Sequence, residues 1–215
     1  MSKINAISLL KGSAFGEVVQ NKIDQILIEC WAGQDAAKVA IPTFAGFVKI
    51  ISAWGTAFAC VHAINTESRF ANGKSVAFGL THEQLKIEQP QIFDFMITTL
   101  DAKIFAYVEN NDTRQQLLFG VAPRPAEMHA FVYLLEDFEL LNLIKKPMSF
   151  FYILKNLSNV TDVDAIAFSL VARLAKIEKL DDQFFENFYA QYSRLPEVTN
   201  EKARLLFLDF EQLLL

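Results

Sequence analysis

Apolar residues recur at a helical spacing near the start of this chain. Over residues 13–33 the apolar side chains fall three or four positions apart, and polar side chains separate them. This is the spacing of one face of an α-helix. The pattern predicts a helix over 13–33 that ends at Gly33, with an apolar face made of Phe15, Val19, Ile23, Ile26 and Cys30.

The most apolar stretch follows, over residues 43–64. Its polar stripe consists of Lys49, Ser52 and Thr56, so a helix here would be apolar over most of its circumference. Such a helix belongs in the middle of a bundle. The stretch carries polar side chains and lacks flanking basic residues, so we expect a buried helix and not a membrane span.

Further helices are expected downstream. Thr81 and Gln84 form a capping box for a short helix that ends before Pro90. Apolar residues at helical spacing predict a helix over 91–109, and a short helix is expected to end at Phe119-Gly120. Thr161 with Asp164 suggests another cap. The second half predicts five helices, over 126–145, 148–158, 162–179, 182–195 and 200–214.

Together these segments predict an all-α fold, an irregular globule of about nine or ten helices. Asn72-Gly73 lies between two β-capable runs and predicts a small β-hairpin near 69–78. A short α-solenoid is the alternative, because helix pairs recur about every 35 residues after position 91. We expect a single domain over 1–215, with a subdomain boundary near 120–125, where Pro123 and Pro125 mark a connector.

Composition excludes several protein classes. The chain is 52% hydrophobic and 21% charged, with a net charge of −5, which is incompatible with intrinsic disorder. The acidic excess disfavours nucleic-acid binding through positive charge. Most of the negative charge lies in residues 111–215, which hold 11 basic and 15 acidic groups. The N-terminus lacks a signal-peptide pattern, so we expect a cytoplasmic protein.

Phenylalanine dominates the aromatic residues, with 20 Phe against 5 Tyr and 2 Trp. Surfaces that recognise partners favour Tyr and Trp, which combine an apolar ring with a polar group. The Phe excess therefore indicates core packing first. A Phe-lined pocket for an apolar ligand is the alternative.

Motifs for metals and cofactors are missing from the sequence. The chain has three histidines and two cysteines, and no Glu or Asp stands three residues before any of the histidines. His82-Glu83 is followed by Lys86 where a zinc-protease motif needs a second histidine. We expect no metal site and no cofactor, and we expect Cys30 and Cys60 to be free.

Two kinds of polar grouping are candidate sites. His129, Tyr133 and Glu136 share one side of the expected 126–145 helix, where a histidine between a phenol and a carboxylate could transfer protons. A polar cluster at a helix contact is the alternative. The acidic groups are candidate docking points for a basic partner, and otherwise solvated helix faces; they are Glu136, Asp137, Glu139, Asp181, Asp182 and Glu186.

These observations favour a non-catalytic protein-interaction role, such as an adaptor, a secretion chaperone or an inhibitor of the immunity-protein type. The partner would be another protein. The alternative is a binding protein for an apolar small molecule or lipid in a Phe-lined cavity. An enzyme is the third class, and it depends on His129, Tyr133 and Glu136 meeting in a cleft.

Overall fold

A computed structural model describes residues 14–31, 40–68, 78–110, 116–146, 148–159 and 162–214. It is 38% helical and 31% strand, and it consists of a closed six-stranded antiparallel β-barrel with seven helices. The prediction of an all-α fold, whether a helical globule or a short α-solenoid, is therefore wrong. The described strands are β1 (Ala14–Asn21), β2 (Gln25–Cys30), β3 (Phe47–Ser52), β4 (Gly55–Ser68), β5 (Met96–Glu109), β6 (Leu118–Phe119) and β7 (Phe131–Leu134).

The barrel closes by antiparallel pairing all the way around. Its strand order is β2-β1-β7-β3-β4-β5, and β5 returns to pair with β2. The closing register runs from Gln25 opposite Lys103 to Glu29 opposite Thr99. The short strand β6 lies outside this ring and pairs with β5 at Ala106 and Tyr107. Closure leaves the backbone groups of these strands paired, which removes the open edges of a flat sheet.

The first expected helix is in fact the hairpin of β1 and β2. Side chains of Ile26, Ile28 and Cys30 are buried at every second position, which is the period of a strand. Gly16 allows the two strands to approach closely, because a Cβ atom there would lie 2.4 Å from the Glu29 carbonyl oxygen. The helical spacing over 13–33 arises because a register shift between Val18 and Gln20 and the turn at residues 22–24 interrupt the two-residue alternation of the strands.

The second expected helix, over 43–64, is also a hairpin. Ser52 pairs with Gly55, so Ala53 and Trp54 form the turn between β3 and β4. Inward-facing residues of β3 fill the barrel, while Phe47 packs outward against the helices. A strand that is buried on both faces reads as a continuous apolar run, which resembles a buried helix in sequence.

Two further segments that were predicted to be helices contain strands. The segment 91–109 is a single helical turn followed by β5, in which Leu100, Ala102 and Ile104 are buried at alternate positions. The segment 126–145 divides into β7 and a helix from Asp137 to Ile144. The expected helix ending at 119–120 contains β6 instead, and its residues 111–115 lie outside the described residues.

Other helix predictions are confirmed within a few residues at their ends. The Thr81 capping box is present in full, and the four last expected helices all form. Thr161 and residues 69–77 of the expected hairpin lie outside the described residues. The described helices are α1 (His82–Glu88), α2 (Gln91–Asp94), α3 (Asp137–Ile144), α4 (Ser149–Leu157), α5 (Val163–Ile177), α6 (Asp182–Tyr192) and α7 (Asn200–Leu214).

Two apolar cores share the strand wall of β3, β4 and β5. One fills the barrel with small and β-branched side chains such as Val48, Ala59 and Ile104. The other lies between the outer side of that wall and helices α3 to α7. Phe47 and Phe105 project from the strands into the second core and meet edge to face at 5.7 Å between ring centroids. The helices are therefore anchored on the barrel by large aromatic side chains.

Strands β4 and β5 extend beyond the barrel as a two-stranded ribbon. Thr66 to Ser68 pair with Met96 to Thr98, beyond the point where β2 stops pairing with β5. Helices α1 and α2 follow β4 and precede β5, and α1 has no buried residue. Several large apolar side chains are exposed in this region, including Ile87 at 80%.

Candidate binding groove

Aromatic side chains join helices α6 and α7. Tyr189 contacts the ring of Phe207 at 5.0 Å between centroids, whereas Phe185, one turn earlier, contacts both Phe207 and Phe210. Phe188 contacts the same two rings of α7, so these side chains form one aromatic cluster between the helices. The connection between the helices spans residues 193–199.

A groove runs between the outer faces of these two helices and is open to solvent. Its volume is about 610 Å³, within the range of about 300–1,000 Å³ found for ligand-binding clefts. Apolar side chains form its floor and polar side chains its margins. The lining residues are Asp182, Phe185, Glu186, Tyr189, Asn200, Arg204, Phe207 and Leu208.

The helical period explains why these side chains share a groove. On α6 the lining positions are separated by three or four residues, which places them along one face. A second face of α6 points inward, where Phe188 and Tyr192 are fully buried. Because both faces of α6 carry aromatic residues, one can fill the core while the other remains at the surface. Tyr189 keeps 39% of its surface exposed and Leu208 keeps 44%.

The charges of the groove are divided between its two helices. Asp182 and Glu186 are exposed on α6, and neither forms an ion pair with another described residue. Arg204 lies one turn before Phe207 on α7 and also lines the groove. The carboxylates thus belong to one helix of the groove and the guanidinium to the other. A groove with apolar and charged lining residues can bind an amphipathic segment.

The other acidic residues that were predicted as docking points form contacts within the protein. Glu139 accepts a hydrogen bond from Lys49 at 2.5 Å and another from the backbone N–H of Glu136 at 2.9 Å. Asp137 accepts from Arg173 at 3.1 Å, and Asp181 caps α6 by accepting from the Phe184 N–H. Of the six acidic residues predicted as docking points, only Asp182 and Glu186 line the groove.

The proposed proton-transfer group does not assemble. No hydrogen bond of the described structure joins any two of His129, Tyr133 and Glu136. The three residues do not share a helix, because His129 lies in a loop, Tyr133 in β7, and Glu136 at the start of α3. His129 instead lies 3.2 Å from Glu17, which also accepts a hydrogen bond from the Trp31 indole N–H. The His129 side chain is 73% exposed.

Burial raises the pKa values of several interior groups. Burial raises the pKa of the Cys30 thiol to about 11, with a smaller contribution from Glu29. Burial also raises the pKa of the Cys60 thiol, and both cysteines are free, as predicted. The pKa of the Tyr192 phenol is raised by burial and then by its hydrogen bond to Asp164. Burial also raises the pKa of the Tyr133 phenol.

Comparison with known proteins places the chain in no family: no protein-family model matches it, and no curated protein resembles it significantly. In the described part of the chain, no three His, Cys, Asp or Glu side chains gather in a way that could hold a metal ion. None of the described helices combines the length and the apolar character needed to cross a membrane.

Sequence reasoning assigned the aromatic residues of the groove to the core; Phe185 and Phe207 do pack partly buried against the helical core, and they line the groove as well. Phe185 and Phe207 line the groove, together with Tyr189 and Leu208. The available signal was the pair of adjacent aromatic rows on α6, at 184 and 188 and at 185 and 189. Of these four positions only Tyr189 is exposed, so the wide aromatic face of α6 serves both the core and the groove.

Proposed function

We propose that this protein acts as a non-catalytic interaction protein and that the groove between α6 and α7 binds an amphipathic helix of a partner protein. The observation that carries the proposal is the set of four apolar side chains, Phe185, Tyr189, Phe207 and Leu208, converging in an open groove with carboxylates at its margin. Helix-in-groove recognition places an apolar stripe on such a floor. An adaptor, a secretion chaperone and an inhibitor would all use this kind of contact.

Burial of the exposed apolar surface would supply the driving force. Tyr189 and Leu208 are each more than one third exposed, and full burial of a large apolar side chain contributes about 1.5–3 kcal/mol. Aromatic residues are enriched at the energetic centres of protein interfaces. The floor of the groove therefore has the composition expected of such a centre, and its charged margin matches the polar rim of an interface.

The groove also supports a second candidate, a binding site for an apolar small molecule or lipid. Its volume of about 610 Å³ and its two Phe side chains fit such a ligand. Small-molecule sites usually enclose most of their ligand, whereas this groove lies open along two helices. A partner helix, which keeps its polar face in water, suits that open shape better.

The experiment is a selection of displayed peptides against the full chain. The library contains helical peptides of about 18 residues with apolar residues at i, i+3, i+4 and i+7 and varied polar positions. We expect binders that keep this stripe. Their dissociation constant should rise about tenfold for Leu208→Ser, because the substitution removes apolar surface from the floor.

Leu205→Ser is the matched control, since Leu205 lies on the same helix and is 56% exposed but does not line the groove. The binders should tolerate this substitution. If selection yields no peptide whose affinity depends on Leu208, the proposed function is refuted. Native mass spectrometry of the purified protein tests the second candidate, which predicts a retained hydrophobic mass that Leu208→Ser reduces and Leu205→Ser does not.

A further inference from the structure

We infer that a second cavity of this protein binds a small amphipathic molecule that carries one carboxylate and an apolar body. The cavity lies between helix α5 and residues 43–46, which precede strand β3, and its volume is about 310 Å³. This volume is at the lower end of the range found for small-molecule sites. The cavity shares no lining residue with the groove between α6 and α7, so it is a site independent of the proposed function.

Helix α5 supplies the charged side of the cavity. Ser169, Arg173 and Lys176 line it at positions i, i+4 and i+7, which places them along one face of the helix. Both charged residues that line the cavity are therefore basic, although the chain as a whole has a net charge of −5. Two neighbouring cations in a concave site attract an anion.

The protein itself neutralises only part of this positive charge. Nη2 of Arg173 donates to the Asp137 carboxylate at 3.1 Å and to the Leu135 carbonyl at 3.2 Å. Lys176 forms no ion pair within the described part of the chain. About one positive charge is thus left for a ligand, which matches a carboxylate and is too little for a phosphate monoester with its charge of about −1.5 to −2.

The turn opposite α5 adds a hydroxyl donor and a strained backbone. Among the described residues, no hydrogen bond uses the hydroxyl of Thr43 or that of Ser169, so both hydroxyls are able to donate to a carboxylate. Ala45 has a left-handed backbone with φ of 58°, and the Gly46 N–H closes the turn by donating to the Thr43 carbonyl at 2.9 Å. Strained residues of this kind cluster at ligand-binding sites.

Aromatic rings form the apolar wall of the cavity. Phe44 lines it from the turn and Phe168 lines it from α5. The ring of Phe168 stacks on that of Phe210, with 6.0 Å between centroids, so this part of the wall is held by the helical core. Phe44 is 37% exposed, and a ligand with an aromatic or short aliphatic body would remove its ring from water.

The test titrates the full chain with benzoate, phenylacetate and hexanoate, and with benzamide, phenylacetamide and hexanamide as their uncharged counterparts, followed by ligand-observed NMR. We expect at least one carboxylate to bind with a dissociation constant of about 0.1–1 mM, as is usual for ligands of about ten non-hydrogen atoms. Its amide should bind about tenfold more weakly, because it is not attracted to Lys176. Absence of binding by all three carboxylates, equal binding of the amides, or tighter binding of phenyl phosphate would overturn the inference.

Substitutions at exposed positions place the ligand in this cavity. Lys176→Gln should raise the dissociation constant of the carboxylate about five- to tenfold. Lys179→Gln is the matched control, because it removes the same charge from an exposed residue that does not line the cavity. Phe44→Ser should raise the dissociation constant about threefold or more by removing part of the apolar wall. Thermal unfolding of each variant verifies that it is folded.

The outcomes also distinguish this cavity from the groove. Leu208→Ser should leave carboxylate binding unchanged, because Leu208 lines the groove and not this cavity. Carboxylate binding that Leu208→Ser weakens and Lys176→Gln does not would place the ligand in the groove and overturn the inference. An equal effect of Lys176→Gln and Lys179→Gln would show attraction to the general surface charge, which overturns it as well.

Discussion

At the scale of single residues, His62 is a partly buried histidine with an unpaired ring nitrogen. It lies on β4 where the pairing with β5 shifts register between Val61 and Ala63. Its Nε2 atom is buried and has no hydrogen-bond partner. Burial lowers the pKa of the imidazole below 6.5, and Asp101 and Lys103 on β5 act in opposite directions on it. The neutral imidazole is therefore favoured in the folded chain.

This environment predicts a stability loss at acidic pH. Because the pKa of His62 is lower in the folded than in the unfolded state, the unfolded chain binds more protons below about pH 6.5. The contribution of His62 to stability is complete above that pH and is lost as the pH falls toward the folded-state pKa. His62→Gln should reduce the loss of stability between about pH 7.5 and pH 5, measured by urea unfolding at both values.

His82→Gln is the control for this measurement, because His82 is exposed on α1. It should retain the wild-type dependence of stability on pH. An equal loss of stability in His62→Gln and the wild-type chain would contradict the assignment of the acid sensitivity to His62.

At the scale of elements, α4 begins in an unusual way. Its N-cap residue Met148 has a left-handed backbone with φ of 60° and supplies no side-chain cap. The buried side chain of Gln191 on α6 fills this role, since its Oε1 accepts a hydrogen bond from the Phe151 N–H at 3.3 Å. The other end of the same amide donates to Asn187 at 2.9 Å. The Gln191 side chain thus supplies the hydrogen-bond acceptor that the N-cap residue of α4 does not supply.

Loss of this bridging amide should destabilise the fold. Gln191→Met keeps a similar volume but removes the acceptor, leaving a Phe151 N–H of α4 without its partner. We expect the free energy of unfolding to fall by about 1–3 kcal/mol. Urea unfolding followed by circular dichroism measures the change.

The matched control is Gln183→Met, an exposed position on the same helix. It should change the free energy of unfolding by less than about 0.5 kcal/mol. If both variants were equally stable, the contact between Gln191 and α4 would contribute nothing to stability, contrary to the expectation.

At the scale of the whole molecule, the barrel and the helices depend on a common wall. Phe105 on β5 and Cys60 on β4 point away from the barrel interior and are fully buried beneath the helical layer. The ion pair of Lys49 with Glu139 adds a polar link between β3 and α3 at 2.5 Å. The helices cover an apolar face that the barrel alone would expose to water, so neither part has a complete core by itself.

This shared wall predicts cooperative unfolding of the whole chain. Trp31 and Trp54 lie in the barrel half and report its unfolding by fluorescence, while far-ultraviolet circular dichroism follows the helices. The two transitions should coincide in urea. Phe105→Ala should shift both together and lower the free energy of unfolding by about 3–5 kcal/mol, through lost burial and a cavity.

Phe138→Ala is the matched control, because Phe138 is 60% exposed on α3. It should leave both transitions close to those of the wild-type chain. Separate fluorescence and circular-dichroism transitions, or a shift of only one of them in Phe105→Ala, would show that the barrel and helices unfold independently.

The candidate site, like the fold, was predictable from the sequence only where it depends on local helical spacing. Asp182 and Glu186 could be identified as exposed acidic residues because they belong to a helix whose period is visible in the sequence. Glu139 and Asp137 looked equivalent to them, yet each is paired with a cation distant in the sequence, Lys49 or Arg173. Such pairings depend on the fold, which local patterns do not encode.

The sequence by itself determined the C-terminal helices, the capping box at Thr81 and the unpaired state of the cysteines. These features depend on local spacing and capping, or on the small number of cysteines. Only the tertiary structure decided that 14–30 and 47–68 form strand hairpins. In 47–68 barrel closure and the helical layer bury residues on both faces of the sheet, while in 14–30 a register shift and a turn interrupt the alternation. Tertiary structure also decided which aromatic residues of α6 and α7 remain at the surface. Phe188 is fully buried and Phe185 packs partly buried against the same core, whereas Tyr189 and Leu208 remain exposed beside Asp182 and Glu186.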